Sequence, residues 1–557
     1  MYGTWRPKHS FYRGRVRATP NSPAPLASLL RKSSHRQTAT PTPRRPRSDL
    51  GYNDISFHGS PQIPTPHIDA IFSGGTALSR YYAQPVCSPT RASILSGRHV
   101  IHTGIYMPLD SGVTNEALDA SYTLLPRYLK RAANYSCHAV GKWHLGANAL
   151  NATPTGRGFD SHLGYWSGAE DYTAHTVGVT VGPSKNHMVY DFQDGLTPRV
   201  DLNGSWSTEV LASRAVGVIA AQAALGAGAP PLFLYLAFQN VHWPLEAPAD
   251  IVARFANATG GNEGRQKVCA MAAFLDAAVG NVTAALATLL PNTIVAFVSD
   301  NGGPTHGNEG TWSNNFPLRG GKNTLWEGGT RVLGAVKGPG VPAGAALHRP
   351  VHATDWLPSL VSLATGGADF RQFAPPGEPP YEAGDGVDVW ATIASAGAAP
   401  AQRDWVLLET HANASYLTHG DGLIVGDMKL LEVGPRAPPE EDGWWPPDGQ
   451  NANTTNYTLA CDWGGSGRPR AGGAGATPKR PSCGYPRACL FNISADPCEY
   501  HDLSAELPGV VQQLRARLTT YRSVPPLVGR GCFPRLITGP ASQGGEAFAF
   551  QPCDAPS

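Results

Sequence analysis

The chain has 557 residues, 41% of them hydrophobic, which is enough for a large buried core and more than one ordinary domain would use. Its formal net charge is only +2 and its charged fraction is 15%, so no chain-wide basic surface points to nucleic acid or to a membrane surface. No run of eighteen apolar residues occurs, and we predict no membrane span.

Residues 1–47 form a basic leader that contains eleven Lys or Arg residues and no acidic residue. Its longest apolar stretch, PLASLL, is too short for the core of a signal peptide. The composition indicates a disordered tail or a misassigned start, and an organelle transit peptide is the alternative.

The region from residue 48 to residue 400 alternates apolar, β-branched runs with helix-like segments. This pattern predicts an α/β catalytic domain with a large mixed, mostly parallel sheet sandwiched by helices. Three of the runs end in polar clusters. Ligands of open α/β sheets lie beyond the carboxyl ends of the strands, so we expect the clusters to meet in one pocket. The three runs, each with its polar residues, are SCHAVGKWH with Lys142 and His144, PLFLYLAFQNVHWP with His242, and NTIVAFVSDNGG with Asp300 and Asn301.

Residues 401–525 are predicted to form a smaller C-terminal α+β domain. RDWVLLET and DGLIVGDMKLLEV have the pattern of an antiparallel sheet, and ELPGVVQQLRARLTTYRS has the spacing of one amphipathic helix. Between them, residues 434–488 are rich in Pro, Gly, Trp and Cys, which predicts a long loop held by disulfides. Residues 526–557 are expected to form an irregular tail.

The chain contains nine cysteines and nine Asn-x-Ser/Thr triplets, which indicate the cellular compartment of the protein. Six of the cysteines lie between Cys461 and Cys553, and an odd total leaves one over if the others pair. The density of triplets beside a cysteine-rich C-terminal third favours an oxidising, secretory destination. The triplets begin at Asn134, Asn151, Asn203, Asn257, Asn281, Asn413, Asn453, Asn456 and Asn492.

The segment SDNGG places the carboxylate of Asp300 and the amide carbonyl of Asn301 on a glycine-rich turn after an apolar run. Oxygen ligands of this kind suit a hard cation such as Ca²⁺ or Mg²⁺ rather than zinc. For an isolated Asp-Asn-Gly, a simple Asx or type I′ turn is the commoner interpretation. Asp49 supplies a second acidic loop, which favours the metal.

Lys142 and His144 are two residues apart, which places them on the same side if the segment is extended. This pair suits an anionic substrate, because the lysine supplies fixed charge and the histidine can move a proton. His242 and Lys322 are ordinary residues when taken singly. Their placement at strand ends and in the loop LRGGKNTLWEGG makes them candidates for the same pocket.

Cys87 opens the segment CSPTRASILSGRH. As a thiolate nucleophile it would need a nearby base and a lowered pKa, which Arg91 and His144 could supply. A thiol does not explain a hard-metal site, however, because Ca²⁺ and Mg²⁺ select oxygen over sulfur.

The same segment fits the signature C-x-P-x-R, extended by L-x-G-R, of the type I sulfatases. The resemblance is to the arylsulfatase B group and runs from Asp49 to about residue 525. The further motifs that carry it are DLGYNDISFHGS, TPHIDA, VGKWHLG, GFDSHLGY, VSDNGG, PLRGGKNTLWEGGTRV, HATDWLPSL and LFNISADPCEYHDLS.

The resemblance implies an alkaline phosphatase-like sulfatase fold and hydrolysis of sulfate monoesters, with sulfated sugars as the expected substrates. It implies that Cys87 is converted by a formylglycine-generating enzyme to Cα-formylglycine, whose hydrate is an oxygen nucleophile. It also implies one Ca²⁺ ion and an extracellular or lysosome-type location. The resemblance implies that Cys87 is the nucleophile, that Arg91 holds its hydrate, and that Asp49, Asp300 and Asn301 bind Ca²⁺ together with that hydrate. It implies that Lys142 and Lys322 bind the sulfate group. It further implies that His144 orients or deprotonates the hydrate and that His242 with Lys322 assists the leaving group.

The chain departs from the family just before Asp49. The family presents two adjacent aspartates after an apolar strand, whereas this chain has RRPRSDLG, with Ser48 at the first acidic position. The preceding TPTPRRPR cannot form a buried strand, since its prolines lack N–H groups and its arginines are charged. Either an upstream segment with the first strand and aspartate is missing, which we prefer, or the chain is a variant with a weakened metal site.

Two other functions stay open at the level of sequence. A phosphomonoester or phosphonate hydrolase would use the same metal and cations on a related scaffold. A catalytically impaired glycan-binding homologue would keep the fold without turnover, and Ser48 is the feature that favours it.

Overall fold

We describe the computed structural model of the chain over residues 49–109, 116–181, 185–304, 312–410, 420–433 and 488–521, and over three further strands near the C-terminus. The described residues all belong to one compact unit. The predicted basic leader 1–47, Ser48 and the predicted loop up to residue 487 lie outside them. The division into two domains at residue 400 stays a prediction.

The sheet strands fall into four sheets and two short pairs within the described part of the chain. The first central sheet has, in spatial order, the strands β11 Val295–Val298, β12 Gly334–Lys337, β1 Thr76–Leu78 and β13 Ala345–Leu347. The second has β10 Leu232–Ala237, β4 Ser136–Gly141, β5 Ser161–Gly164, β8 Gln193–Asp194 and β9 Thr197–Pro198. The short pairs are β14 Val351–His352 with β2 Tyr81–Tyr82, and β19 Gly529–Arg530 with β3 Glu116–Ala117.

The helices of the described residues are α1 Pro66–Ser73, α2 Cys87–Ser96, α3 Val100–Thr103, α4 Leu125–Ala133, α5 Ser207–Ala224, α6 Ala249–Ala253, α7 Glu263–Leu289, α8 Glu327–Thr330, α9 Trp356–Thr365, α10 Trp390–Ala394 and α11 Pro508–Tyr521.

Strand direction in the second central sheet brings two of the predicted clusters to one side. In the second sheet β10, β4 and β5 run parallel, with Leu234 opposite His138, so the segments after β10 and β4 leave in the same direction. In the first sheet β12 is antiparallel to both β11 and β1, and β1 is parallel to β13. The predicted mixed α/β class is confirmed, with more antiparallel pairing than the sequence indicated.

Helices cover both faces of these sheets, as the alternation of side chains along β4 requires. Ala139 packs with α2, α4 and α9, whereas Val140 packs with α5. Helix α7 lies beside α1 and α5. By length and composition α7 is apolar enough to cross a membrane, but 61% of its apolar window is buried, so it is a core helix.

The C-terminal part forms the predicted antiparallel sheet and helix. The strands are β15 Trp405–Glu409, β16 Gly420–Val425, β17 Met428–Val433 and β18 Cys489–Asn492, each antiparallel to the next. Leu514 and Leu518 of α11 pack on the face of this sheet that carries Leu423 and Leu430. Cys489 and Cys498 each take part in a disulfide, whereas Cys87, Cys137 and Cys269 are free and buried.

The expectation of an irregular tail after residue 526 is wrong for the described strands. The fourth sheet joins β20 Arg535–Gly539 and β21 Ala547–Gln551 to the distant hairpin of β6 Thr176–Val181 and β7 Lys185–Tyr190. Short strands of this kind depend on partners far away in sequence, and the local pattern of the tail contains no signal for such a partner.

Candidate active site

Helix α2 begins at Cys87, where the chain leaves the extended conformation of Val86. Pro89 in the first turn favours this start, because its fixed φ suits a helix and no N–H is needed there. Cys87 is only 2% exposed. The hydroxyl of Ser88 donates to the carbonyl of His144 at 2.8 Å, which ties the start of α2 to the segment after β4.

Arg91 lies one turn further along α2 and contacts residues just after β4 and β11 and a residue inside β10. Its Nε and Nη2 donate to Oδ2 of Asp300 at 3.0 and 2.6 Å. Its Nη1 donates to the carbonyl of Lys142 at 3.0 Å and to the hydroxyl of Tyr235 at 3.4 Å. The sequence did not indicate Tyr235, because it lies inside an apolar run that reads only as a buried strand.

Asp49 is the centre of a second set of contacts. Nζ of Lys322 lies 2.6 Å from Oδ2 of Asp49 and 3.4 Å from Nε2 of His242. The side-chain amide of Asn301 donates to the same oxygen of Asp49 at 3.2 Å. Four segments that are far apart in the sequence therefore meet around one carboxylate.

His144 is held close to the backbone of the segment after β5. It has a left-handed backbone with φ of 59°, and a Cβ at Gly168 would stand 2.8 Å from its ring. Burial lowers the pKa of His144 well below its usual value, and Lys142 and Arg91 lower it further. The imidazole is therefore neutral at physiological pH.

The charged groups of the site shift one another's pKa values. Burial lowers the pKa of Lys142, and Arg91 adds to this effect against the nearby acidic groups. Burial opposes ionisation of Asp300, but Arg91 and Lys142 outweigh it, so the pKa of Asp300 is lowered. Burial raises the pKa of Asp49, with Lys322 acting against it. Three fixed cations around two carboxylates suit an anionic group.

The donor set beside Asp49 fits a hard cation. No group of three His, Cys, Asp or Glu side chains forms a metal cluster in the described ranges. The set here is instead two carboxylates and an amide, and Oδ1 of Asn301 is buried without a hydrogen-bond partner. A buried carbonyl oxygen next to the carboxylates of Asp49 and Asp300 is the kind of ligand that Ca²⁺ takes.

The glycine after Asn301 serves close packing rather than a type I′ turn. Such a turn requires positive φ at both central residues, and neither Asn301 nor Gly302 has one. A Cβ at Gly302 would stand 1.8 Å from the carbonyl oxygen of Gly328. The loop that carries Asp300 therefore lies directly against the segment that follows Lys322.

A buried ion network, which the sequence did not indicate, joins this region to the C-terminal sheet. Nζ of Lys429 lies 2.9 Å from Oε1 of Glu327 and 2.8 Å from Oε1 of Glu499, and all three side chains are fully buried. Glu499 also accepts from the amide of Glu327 at 2.8 Å, and the hydroxyl of Tyr82 donates to Glu327 at 3.0 Å. The network thereby fixes α8, five residues after Lys322.

Comparison with known proteins identifies the family. A family model described as sulfatase matches residues 48–367, which is more than half of the chain. The chain belongs to the sulfatase family. The sulfatase is 33% identical over 501 residues to arylsulfatase J of Mus musculus, a match that covers 85% of this chain and 74% of that protein. Hydrolysis of sulfate esters is accordingly its class of reaction.

Other relatives agree with this assignment. The N-acetylgalactosamine-6-sulfatase of Sus scrofa is 30% identical over 345 residues, a match that covers 57% of this chain and 60% of that protein. Two solved structures have the same fold. The first is Ps i-CgsB in complex with k-i-k-neocarrahexaose, which has a TM-score of 0.65 and 24% identity and covers 85% of this chain and 91% of that one. The second is the PsFucS1 sulfatase from Pseudoalteromonas sp., which has a TM-score of 0.58 and 22% identity and covers 86% of this chain and 90% of that one.

The predicted family, the α/β sulfatase fold and the enzyme class are thus confirmed. The structure brings Cys87, Arg91, Lys142, His144, His242, Lys322, Asp49, Asp300 and Asn301 together. Their individual roles, the formylglycine and the metal stay predictions.

Proposed function

We propose that the sulfatase hydrolyses sulfate monoesters of carbohydrates, with Cys87 converted to formylglycine and with one Ca²⁺ ion. The observation that carries the proposal is the buried position of Cys87 at the start of α2, near enough to Arg91 and Lys142 for electrostatic interaction with both. An amino-sugar substrate is supported by the relative named N-acetylgalactosamine-6-sulfatase. Formylglycine would supply an oxygen nucleophile in place of the thiol.

The cations of the site would bind and orient the sulfate group. Lys142 and Lys322 are buried, so their charges are little screened by water and act strongly on sulfate oxygens. His144 is neutral and can accept a proton. His242 lies beside Lys322, where it can hold a proton for the departing alcohol.

Asp49, Asp300 and Asn301 would hold the Ca²⁺ ion, which supplies positive charge to the reacting sulfate. We expect Ca²⁺ to raise the melting temperature of the chain, since a ligand at 100 times its Kd stabilises the fold by about 2.7 kcal/mol. Asn301→Leu should lose most of this shift, because it removes the unpartnered oxygen. Thermal unfolding with and without Ca²⁺ measures both.

The control for that experiment is Asn292→Leu, an equal change at an exposed asparagine outside the glycosylation triplets, which should keep the full shift. No shift in the unaltered chain would contradict the metal site. That result would favour the impaired, glycan-binding homologue to which Ser48 points, although Ser48 itself lies outside the described residues.

Lys142→Ala tests the proposed reaction. We expect kcat/KM for an aryl sulfate to fall by about 10² to 10³, as for removal of a buried group that stabilises developing charge. Lys130→Ala is the control, because Lys130 forms a part-exposed ion pair with Asp160 and should leave turnover unchanged. Unchanged turnover by Lys142→Ala would show that the sulfate binds elsewhere. Faster hydrolysis of an aryl phosphate than of the sulfate would support the phosphomonoester hydrolase instead.

We also propose a secretory or lysosome-type location and a formylglycine-generating enzyme as a maturation partner. Among the residues that the structure describes, five asparagines of the glycosylation triplets are exposed, as glycan attachment requires: Asn134, Asn151, Asn203, Asn257 and Asn281. Because Cys87 is buried in the fold, the partner would have to act before folding is complete.

A further inference from the structure

Asn315 is a buried asparagine in the loop that precedes Lys322, and the sequence did not single it out. The residue is 1% exposed and lies outside the helices and strands of the described chain. Its side chain makes four hydrogen bonds, all of them to backbone groups. A side-chain amide offers two N–H donors and one oxygen with two lone pairs, so every bonding position of Asn315 is occupied.

The partners of Asn315 belong to three separate segments. Its Oδ1 accepts from the amides of Tyr52 at 3.2 Å and of Gly303 at 3.0 Å. Its Nδ2 donates to the carbonyls of Gly303 at 2.7 Å and of Gly320 at 3.1 Å. Because a backbone amide can only donate and a carbonyl can only accept, these partners fix which end of the side chain is oxygen. Neither a hydrocarbon nor a carboxylate of the same size can make this set of contacts.

Each of the three segments carries part of the proposed active site. The neighbours in sequence are Asp49 before Tyr52, Asp300 and Asn301 before Gly303, and Lys322 after Gly320. The side chains of these segments are in direct contact, since Oδ2 of Asp49 lies 2.6 Å from Nζ of Lys322 and 3.2 Å from Nδ2 of Asn301. Asn315 thus connects the backbones of the segments whose side chains meet at Asp49.

The packing around Gly303 shows how closely these segments lie. A Cβ at Gly303 would stand 2.5 Å from Cβ of Ser313 and 3.0 Å from the carbonyl oxygen of Asp49. The hydroxyl of Ser313 donates to the same carbonyl of Asp49 at 2.5 Å, and the carbonyl of Gly303 also accepts from the amide of Lys322 at 3.1 Å. The amide of Asn315 therefore lies within a tightly packed junction.

We propose that Asn315 is a positioning residue, which sets the distances between the proposed Ca²⁺ ligands and Lys322. This inference rests on the proposed function of the site. Asn315 would bind neither the metal nor the sulfate, because its four bonding positions are already used by the backbone. Its effect would come from geometry, since a displacement of about 1 Å in an active site can reduce a rate by about 10².

Asn315→Leu tests the proposal, because leucine is similar in size and removes all four hydrogen bonds. We expect the Ca²⁺ concentration that gives half of the rise in melting temperature to increase by about 10- to 100-fold, as for loss of a group that orients metal ligands. We expect kcat/KM for an aryl sulfate, per folded molecule, to fall by a similar factor. A Ca²⁺ titration followed by thermal unfolding measures the first effect without any turnover.

Gln222→Leu is the matched control. Gln222 is also a buried side-chain amide, and its Nε2 donates to the backbone carbonyl of Pro230 at 2.6 Å. Pro230 lies before β10, whereas His242 follows the other end of this strand. Gln222→Leu should lower the melting temperature and leave both the Ca²⁺ titration and turnover per folded molecule unchanged.

Asn315→Asp decides the case in which Asn315→Leu does not fold. The carboxylate can still accept from the amides of Tyr52 and Gly303, which supports folding. Its second oxygen would face the carbonyls of Gly303 and Gly320, where no donor is left. We therefore expect a folded protein with kcat/KM lowered by at least about tenfold.

The outcomes separate this inference from the proposed function. A normal Ca²⁺ titration and normal turnover in Asn315→Leu, or normal turnover in Asn315→Asp, would overturn the positioning role while the proposed function stands. Equal losses in Asn315→Leu and Gln222→Leu would also overturn it, because the effect would then be general destabilisation. No response of the unaltered chain to Ca²⁺ would instead overturn the proposed metal site, and this inference with it.

Discussion

Cys87→Ala is expected to abolish hydrolysis of aryl sulfates, with kcat falling by about 10⁴ or more, as for loss of an enzyme nucleophile. The reason is positional as well as chemical. Cys87 occupies the first turn of α2, and the charges of Arg91 and Lys142 act on it there. Neither Arg91 nor Lys142 could replace an oxygen nucleophile, since both side chains are cations.

The chain offers a matched control at Cys269, another free and buried cysteine, which lies in α7. Cys269→Ala should cost stability to a similar degree, on the order of 1 kcal/mol, while it leaves turnover per folded molecule unchanged. Equal loss of activity in both variants would show that the effect is a folding defect. Full activity of Cys87→Ala would remove Cys87 from the reaction.

Lys429→Met is expected to lower the free energy of unfolding by about 3 to 5 kcal/mol. Lys429 is the counter-ion of both Glu327 and Glu499, and the change leaves two carboxylates buried together. Burial already raises the pKa of Glu499 to about 7, with Lys429 acting against this rise and Glu327 adding to it. Chemical denaturation measures the loss directly.

Lys130→Met is the matched control, because it removes the same charge from a part-exposed pair with Asp160 and should cost less than 1 kcal/mol. The pH dependence provides a second check. The folded chain binds a proton at Glu499 between pH 4.5 and about 7, so that carboxyl makes stability fall as pH rises through this range. Glu499→Gln should remove this fall, and an unchanged pH profile would contradict the buried network.

The sequence predicted those features that local pattern determines. The runs before Lys142, His242 and Asp300 are strands, as the apolar, β-branched runs followed by polar turns predicted, although the strand before Asp300 pairs antiparallel with β12 rather than parallel. The C-terminal helix was expected over residues 506–523 and extends over Pro508–Tyr521. Convergence of the polar clusters followed from the topology rule for α/β sheets.

Features that depend on distant partners were not predictable. Tyr235 and Lys429 have the pattern of ordinary strand residues, and only the three-dimensional structure shows their contacts with Arg91 and Glu327. The tail strands β20 and β21 were missed for the same reason. The lack of pairing between β10 and β11 among the described residues was not predictable either, since each strand pairs normally with its other neighbour.

The mass of the tryptic peptide that contains Cys87 tests the central claim most directly. The chain should be produced in a host that has a formylglycine-generating enzyme, and its activity should be assayed on the same preparation. We predict that residue 87 carries the mass of the aldehyde or its hydrate in the active protein. An unmodified thiol in protein that hydrolyses aryl sulfate would contradict the account.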